Sequence, residues 1–341
     1  MKKIVTLCLL GIALLLVSCD NDTNEPPENI YNEKVIVGYI TSWTTNLPDT
    51  KYVTHLNYAF GHVNKTFDGV KIDNVKRLKG VVALKNKNPK LKVLLSVGGW
   101  GSGGFSEMAA DEKKRKAFAK SCLKAIKDYN LDGIDIDWEY PTKDVAGISA
   151  SPNDSENFTL LMRDLRDAIG KDRLLTLATI CSAHFIHFRN IINYVDYVNI
   201  MAYDMASPPL HHAALYKTKL SGKYTSETSV NAHLAAGVPK EKLVMGMPFY
   251  GQGTMKLPKH RDIEKFKVDS GLTEQWDDVG KFPYLIDKDG KVVYTYENTR
   301  SLAEKCKFIK SKDLRGAMYW ECGYDNQYND LSRTVYEGII K

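Results

Sequence analysis

The sequence predicts an α/β protein folded as a (β/α)8 TIM barrel, with a short insertion between strands seven and eight. Three observations carry that reading. Eight short apolar or alternating runs recur along the chain, each is followed by a helical pattern, and no hairpin signature joins one run to the next. Strands alternating with helices pair in parallel through right-handed crossovers, and eight such units match a closed barrel better than an open doubly wound sheet.

The predicted strands occupy residues 35–41, 55–60, 92–97, 133–138, 174–179, 197–203, 243–248 and 316–320. Between them, apolar residues fall three or four apart, as in Phe118, Cys122, Ile126 and Tyr129, or Phe158, Leu161, Leu165 and Ile169. Two intervals stand out. Strands one and two begin only 20 residues apart, which leaves little room for a helix. Strands seven and eight begin 73 residues apart, and that span holds a further strand-like run at 291–296 before a helix at 301–310. An insertion at about 252–297 accounts for the excess.

Residues 1–18 are not expected in the fold. Lys2 and Lys3 precede an apolar run from Ile4 to Val17 that is too short to span a membrane comfortably, and Ser18 and Cys19 follow. This is an export signal, and Leu16-Val17-Ser18-Cys19 resembles a bacterial lipobox, which implies a lipid-modified N-terminus at Cys19. Residues 19–32 are polar, contain Pro26-Pro27 and lack periodicity, as a flexible tether would. The expected protein is exported and lipid-anchored to the outer membrane or cell surface, with its barrel in residues 33–341.

Composition narrows the partners. The chain is 43% hydrophobic and 26% charged, and its formal charge of +6 is dispersed along helical stretches beside acids. No basic stripe forms, so nucleic acid is not expected as a partner, and the barrel is expected to be a monomer. Cys122, Cys181, Cys306 and Cys322 show no paired or metal-ligand spacing and read as buried free thiols. His211 and His212 cannot face one way on a strand, and His184 with His187 lacks a third ligand. No metal and no cofactor are expected.

The chemistry is concentrated in strand four, Leu131-Asp132-Gly133-Ile134-Asp135-Ile136-Asp137-Trp138-Glu139-Tyr140-Pro141. Residues two apart on a strand share a face, so Asp135, Asp137 and Glu139 point one way while Ile134, Ile136 and Trp138 point the other. In a barrel the apolar set faces the helices, which sends the carboxyls inward and leaves Glu139 at the C-terminal rim, where barrel enzymes place their active sites. Three clustered carboxyls are costly to bury, and like charges push at least one pKa upward. A solvated acidic edge or a cation site would not need the Ile/Ile/Trp face.

These residues resemble glycoside hydrolase family 18, the chitinases and their relatives. Asp132, Asp135, Asp137 and Glu139 match its DxxDxDxE pattern in full, and Ser96-Val97-Gly98-Gly99 matches its SxGG pattern. Similar stretches follow in order: Gly38-Tyr39 with Trp43, Asn57-Tyr58-Ala59-Phe60, Met201-Ala202-Tyr203-Asp204, Gly246-Met247-Pro248-Phe249-Tyr250-Gly251, and Trp320.

The resemblance implies substrate-assisted retaining hydrolysis of N-acetylglucosamine-containing glycans. Glu139 would protonate the glycosidic oxygen, and Asp137 would meet the positive charge on the sugar's acetamido group. Asp135 would share a proton with Asp137, and Tyr203 would hold the acetamido oxygen. Trp320 is implied as the floor under the reacting sugar and Asp204 as its polar partner. Met201, Tyr39, Trp43, Trp100 and Tyr250 also fall at or just past strand ends and are expected to line the sugar site.

Longer chitinases carry a substantial α+β wall between strands seven and eight. The 65 residues from Gly251 to Arg315 must also hold the last barrel helix, so a full wall is not expected and the groove should be shallow. No chitin-binding module is visible. The favoured reading is a chitinase or chito-oligosaccharide hydrolase. The alternatives are an endo-β-N-acetylglucosaminidase acting on N-glycan cores and a catalytically silent lectin, against which the intact Glu139 argues.

Overall fold

The computed structural model describes residues 33–253 and 259–341, so the signal, the tether and Cys19 lie outside the described residues. Eight parallel strands close into a barrel: β1 (Val35–Thr41), β2 (His55–Val63), β3 (Lys92–Gly98), β4 (Gly133–Asp137), β5 (Leu174–Ile180), β6 (Tyr197–Met201), β7 (Leu243–Pro248) and β8 (Gly316–Trp320). Each pairs with its neighbours in sequence, and β1 pairs with both β2 and β8, which completes the circle. The (β/α)8 expectation holds strand by strand. β4 and β6 stop earlier than their apolar patterns suggest. After Met201 the Ala202 N–H turns back to the Ile200 carbonyl at 2.9 Å, and Asp204 adopts a φ of 54°, so pairing cannot continue.

Alternation along each strand builds two cores. On β1, Val35, Val37 and Tyr39 point into the barrel with Ala59, Tyr197, Val244 and Met318. Ile36 and Ile40 point outward and pack with the helices. The helix Glu112–Tyr129 begins at Asp111, whose carboxylate caps the N–H groups of Lys113 and Lys114, and ends at Asn130 in left-handed backbone. It buries Phe118, Cys122 and Ile126, while Asp154–Ile169 buries Phe158, Leu161, Leu165 and Ile169, as their spacing predicts. The short first interval holds only the single turn Thr50–Tyr52. Cys122, Cys181, Cys306 and Cys322 are buried free thiols.

The expectation of no hairpins is corrected at two places. Val70–Ile72 folds back antiparallel on β2, through a turn in which Asn64 and Asp68 bond one another and Phe67 has a φ of 60°. The insertion is a four-stranded antiparallel sheet in the order Thr273–Asp277, Phe282–Ile286, Val292–Thr295, Gln252–Gly253, with the helix Ile263–Asp269 beside it. Its turns, at Asp278-Val279-Gly280 and Asp287-Lys288-Asp289-Gly290, carry recognisable turn residues. Of these strands the sequence signalled only the run at 291–296; Thr273–Asp277 has no buried face and Gln252–Gly253 is two residues long, so neither carries a period.

A buried ion pair ties the insertion to the barrel. Lys305, on the helix Thr299–Ser311, is wholly buried against the Glu297 carboxylate and donates to the Ala213 carbonyl at 2.6 Å. Ser301 donates to the other Glu297 oxygen. Lys305→Met leaves Glu297 buried without its counter-charge and is expected to cost about 3–5 kcal/mol, while Glu297→Leu with Lys305→Met should recover most of that loss. Urea unfolding measures both. A single variant as stable as the parent would show that the pair is not what holds this junction.

Candidate active site

The site starts from the two faces of β4. Ile134, Ile136 and Trp138 enter the helix layer, where the Trp138 ring stacks on Phe105 at 5.3 Å and 14°. Asp135 and Asp137 are thereby turned into the barrel, and Glu139 stands half-buried just past the strand end. Asp132 serves the opposite end. Its carboxylate accepts from the Val93 N–H at 2.8 Å and from Lys85 at 2.7 Å, which joins β3 to β4 away from the groove.

The three inward carboxyls have different surroundings. Asp135 is completely buried and accepts four hydrogen bonds: from Tyr39 (2.7 Å) and Ser96 (2.8 Å) at one oxygen, and from Thr176 (2.6 Å) and Asn199 (3.3 Å) at the other. Burial still raises its pKa, against the pull of those donors. Asp137 lacks such partners, and its Oδ1 is buried without a hydrogen bond among the described residues. Burial, then the charges of Glu139 and Asp135, push it well above the usual carboxylate range. Burial also pushes Glu139 up to about 7, with the Asp204 charge adding to the rise and a Tyr140 hydrogen bond opposing it. A carboxyl in that state can donate a proton near neutrality.

Asp137 and Glu139 open into a groove of about 830 Å³. Its lining includes Tyr39, Trp43, Trp100, Met201, Tyr203 and Asp204, together with Tyr250 and Trp320, so every predicted site residue of the barrel except Asp135 reaches it. Asp135 lies beneath. Trp320 is the hub of the aromatic wall, stacked on Phe60 at 5.7 Å and 20°, with Tyr39 at 5.6 Å and Trp43 at 6.4 Å. Trp43 and Trp100 are more than half exposed and free to present their faces. Tyr39 is different. It is buried, and its hydroxyl is committed to Asp135, so it contributes at the floor and offers no open ring face.

Sequence reasoning missed Phe60, Tyr140, Met205, Tyr224 and Gln252, which also line the groove. Phe60 was out of reach of alternation: Tyr58 packs outward and Ala59 inward, and the register irregularity between Ala59 and Gly61 turns Phe60 inward beside it. Gln252 belongs to the insertion and gave no signal. A second recess of about 700 Å³, lined by residues such as Asn46, Arg261 and Asn326, lies away from these three carboxyls.

Two glycines make the close approach possible. Gly98 has a φ of +129°, and a Cβ there would lie 2.0 Å from the Asp137 carbonyl oxygen. Gly99, at +93°, would place a Cβ 2.6 Å from the Phe60 ring that carries Trp320. The SxGG stretch thus serves packing against β4 and Phe60.

A closed parallel barrel with three acids on the fourth strand and an aromatic groove at its C-terminal mouth defines a barrel glycosidase. The sequence profile of glycosyl hydrolases family 18 matches residues 35–325, and the chain belongs to that family, as a chitinase-like glycoside hydrolase. Chitinase A1 of Niallia circulans is 33% identical, with 83% of this chain and 48% of that protein covered. The chain thus spans about half the length of that relative. Probable chitinase 2 of Drosophila melanogaster is 30% identical, with 91% of this chain and 76% of that one covered. A solved family 18 N-acetylglucosaminidase from Paenibacillus barengoltzii superposes with a TM-score of 0.82 at 34% identity, covering 90% of this chain and all of that one.

The raised carboxyls predict how stability depends on pH. Glu139 titrates near 7 when folded and near its ordinary 4.5 when unfolded, so between those values the folded chain binds a proton that the unfolded chain has released. This contribution to stability is therefore lost as pH rises from about 4.5 to 7. The melting temperature of the Glu139→Gln variant should gain on that of the parent as pH rises from 5 to 8. Parallel melting curves across that range would contradict the assignment of a raised pKa to Glu139.

Proposed function

We propose that the protein hydrolyses β-1,4 linkages in N-acetylglucosamine-containing glycans, chitin or chito-oligosaccharides, by substrate-assisted retaining catalysis. The observation that carries the proposal is the pairing of Glu139, at the groove mouth and protonated up to about pH 7, with the buried, incompletely bonded Asp137 behind it. In the proposed reaction Glu139 gives its proton to the glycosidic oxygen as that bond to C1 breaks. The acetamido carbonyl oxygen of the same sugar attacks C1 and forms a cyclic oxazolinium ion. Asp137, having passed its proton toward Asp135, faces the acetamido N–H as positive charge develops there. Water then attacks C1 and yields its proton to Glu139, which reopens the ring with net retention.

Tyr203 completes the grip on the nucleophile. Burial, then the charges of Asp137, Asp204 and Glu139, keep its phenol protonated, so it remains a donor for the acetamido oxygen. Trp320 offers its indole face to the sugar's C–H groups and Asp204 its carboxylate to a polar one. Restraint of this kind can supply several kcal/mol of the barrier reduction. The chitinase relatives and the N-acetylglucosaminidase of Paenibacillus barengoltzii support an N-acetylglucosamine-containing glycan as substrate.

Paired chito-oligosaccharides, fully acetylated or carrying glucosamine at the reacting position, test the nucleophile directly. The acetylated chain should be cleaved and its partner left almost intact, and Glu139→Gln should lower turnover about 10²–10⁴-fold with binding retained. Equal rates on the two chains, or a sugar trapped covalently on Asp137, would overturn the mechanism.

We also propose that Cys19 carries a lipid that holds the protein on the bacterial surface, on the strength of Leu16-Val17-Ser18-Cys19. Cys19→Ala should move the protein from the membrane to the soluble fraction. An unchanged distribution removes the anchor.

A further inference from the structure

Asp204 leaves β6 in left-handed backbone and presents to the groove a carboxylate whose side chain is 52% exposed. Three groups hold it from behind. The Gln252 amide donates to its Oδ1, Tyr250 hydrogen-bonds to it, and the Nδ1 of His212 stands 3.5 Å from that same Oδ1. Burial raises the Asp204 carboxyl, but His212, Tyr250 and Gln252 together hold it below its ordinary value.

His212 is a costly residue for simple packing. Its ring is wholly buried between Tyr250, at 5.6 Å, and Phe282, at 5.8 Å. Neither ring nitrogen meets a hydrogen-bond partner at good geometry among the described residues. An unmet buried polar group is destabilising, and a phenyl ring would fill the space without that cost. The nitrogen that faces Asp204 lies just beyond hydrogen-bonding distance, a separation of the kind that closes when substrate draws a site together.

The backbone explains why these two residues act together. The His212 N–H points at the Thr295 hydroxyl at 3.4 Å, and its carbonyl accepts the Met205 N–H at 2.9 Å. Thr295 is the register partner of Gln252 in the inserted sheet. Two of the three side chains that hold Asp204, His212 and Gln252, are therefore aligned by one strand, Val292–Thr295, which packs outside the barrel.

We infer that His212 and Gln252 are positioning residues that fix the Asp204 carboxylate for the sugar in the groove, so that the inserted sheet acts as a clamp on this acid. The inference rests on the reading above that Asp204 faces substrate. His212 donates from Nδ1–H to Asp204 in the substrate complex, and neither residue exchanges a proton with the sugar.

Steady-state kinetics on a chito-oligosaccharide test this with four variants: Asp204→Ala, His212→Phe, His212→Asn and the double variant Asp204→Ala with His212→Phe. Loss of one charge-assisted bond should lower kcat/KM about tenfold in His212→Phe, chiefly through KM. His212→Asn, whose amide nitrogen falls where Nδ1 lies, should retain most of the activity. In the Asp204→Ala background, His212→Phe should add nothing. Should His212→Phe fail to fold, Gln252→Leu replaces it in the same cycle, because that side chain sits at the groove rim. Additive losses in the double variant, or failure of His212→Asn to rescue, would overturn the positioning role and leave His212 to packing. A normal kcat/KM in Asp204→Ala would instead overturn the reading that Asp204 faces substrate.

Discussion

The carboxylate of Asp135 is the constraint around which the barrel interior is arranged. A buried carboxylate is tolerated only where donors replace its water, and here they come from Tyr39 on β1, Ser96 on β3, Thr176 on β5 and Asn199 on β6. Five of the eight strands are thus locked to one side chain. The same arrangement uses up the donors that Asp137, two residues nearer the mouth, would need. Asp137 is left with an oxygen unmet and a strongly raised pKa, while burial and the Asp204 charge keep a transferable proton on Glu139 at the mouth. The proposed chemistry depends on this unequal sharing of hydrogen bonds among the three carboxyls.

The aromatic wall depends on close backbone approach in turn. Gly98 lets β3 lie against the Asp137 carbonyl, and Gly99 leaves room for the Phe60 ring, on which Trp320 stacks. Trp320 then touches Tyr39, whose hydroxyl is already fixed by Asp135. The surface proposed to carry the sugar and the acids proposed to cleave it are therefore held by one continuous set of contacts. Nothing in that set requires the insertion, which among the described residues reaches the groove at its rim through Gln252. What the inserted sheet contributes is the setting of Asp204.

The barrel and the acid array were legible in the chain because both are written in short-range periodicity. Alternation on β4 separates Ile134, Ile136 and Trp138 from Asp135, Asp137 and Glu139 without reference to any other segment, and the eight runs that alternate with helices specify a closed parallel sheet. The aromatic residues past the strand ends followed from the same count. The shift of Glu139 to about 7 did not, since it comes from burial among residues far apart in sequence and from the charge of Asp204, 65 positions away. Nor did the difference between Tyr39, whose ring is sealed under Trp320, and Trp43, whose ring is open, because exposure is decided by neighbours. His212 and Gln252 carry no periodic signal at all. Residues on loops and on half-covered inserted strands take their roles from what the closed barrel brings beside them, and only the tertiary structure decided that Asp204 would be their neighbour.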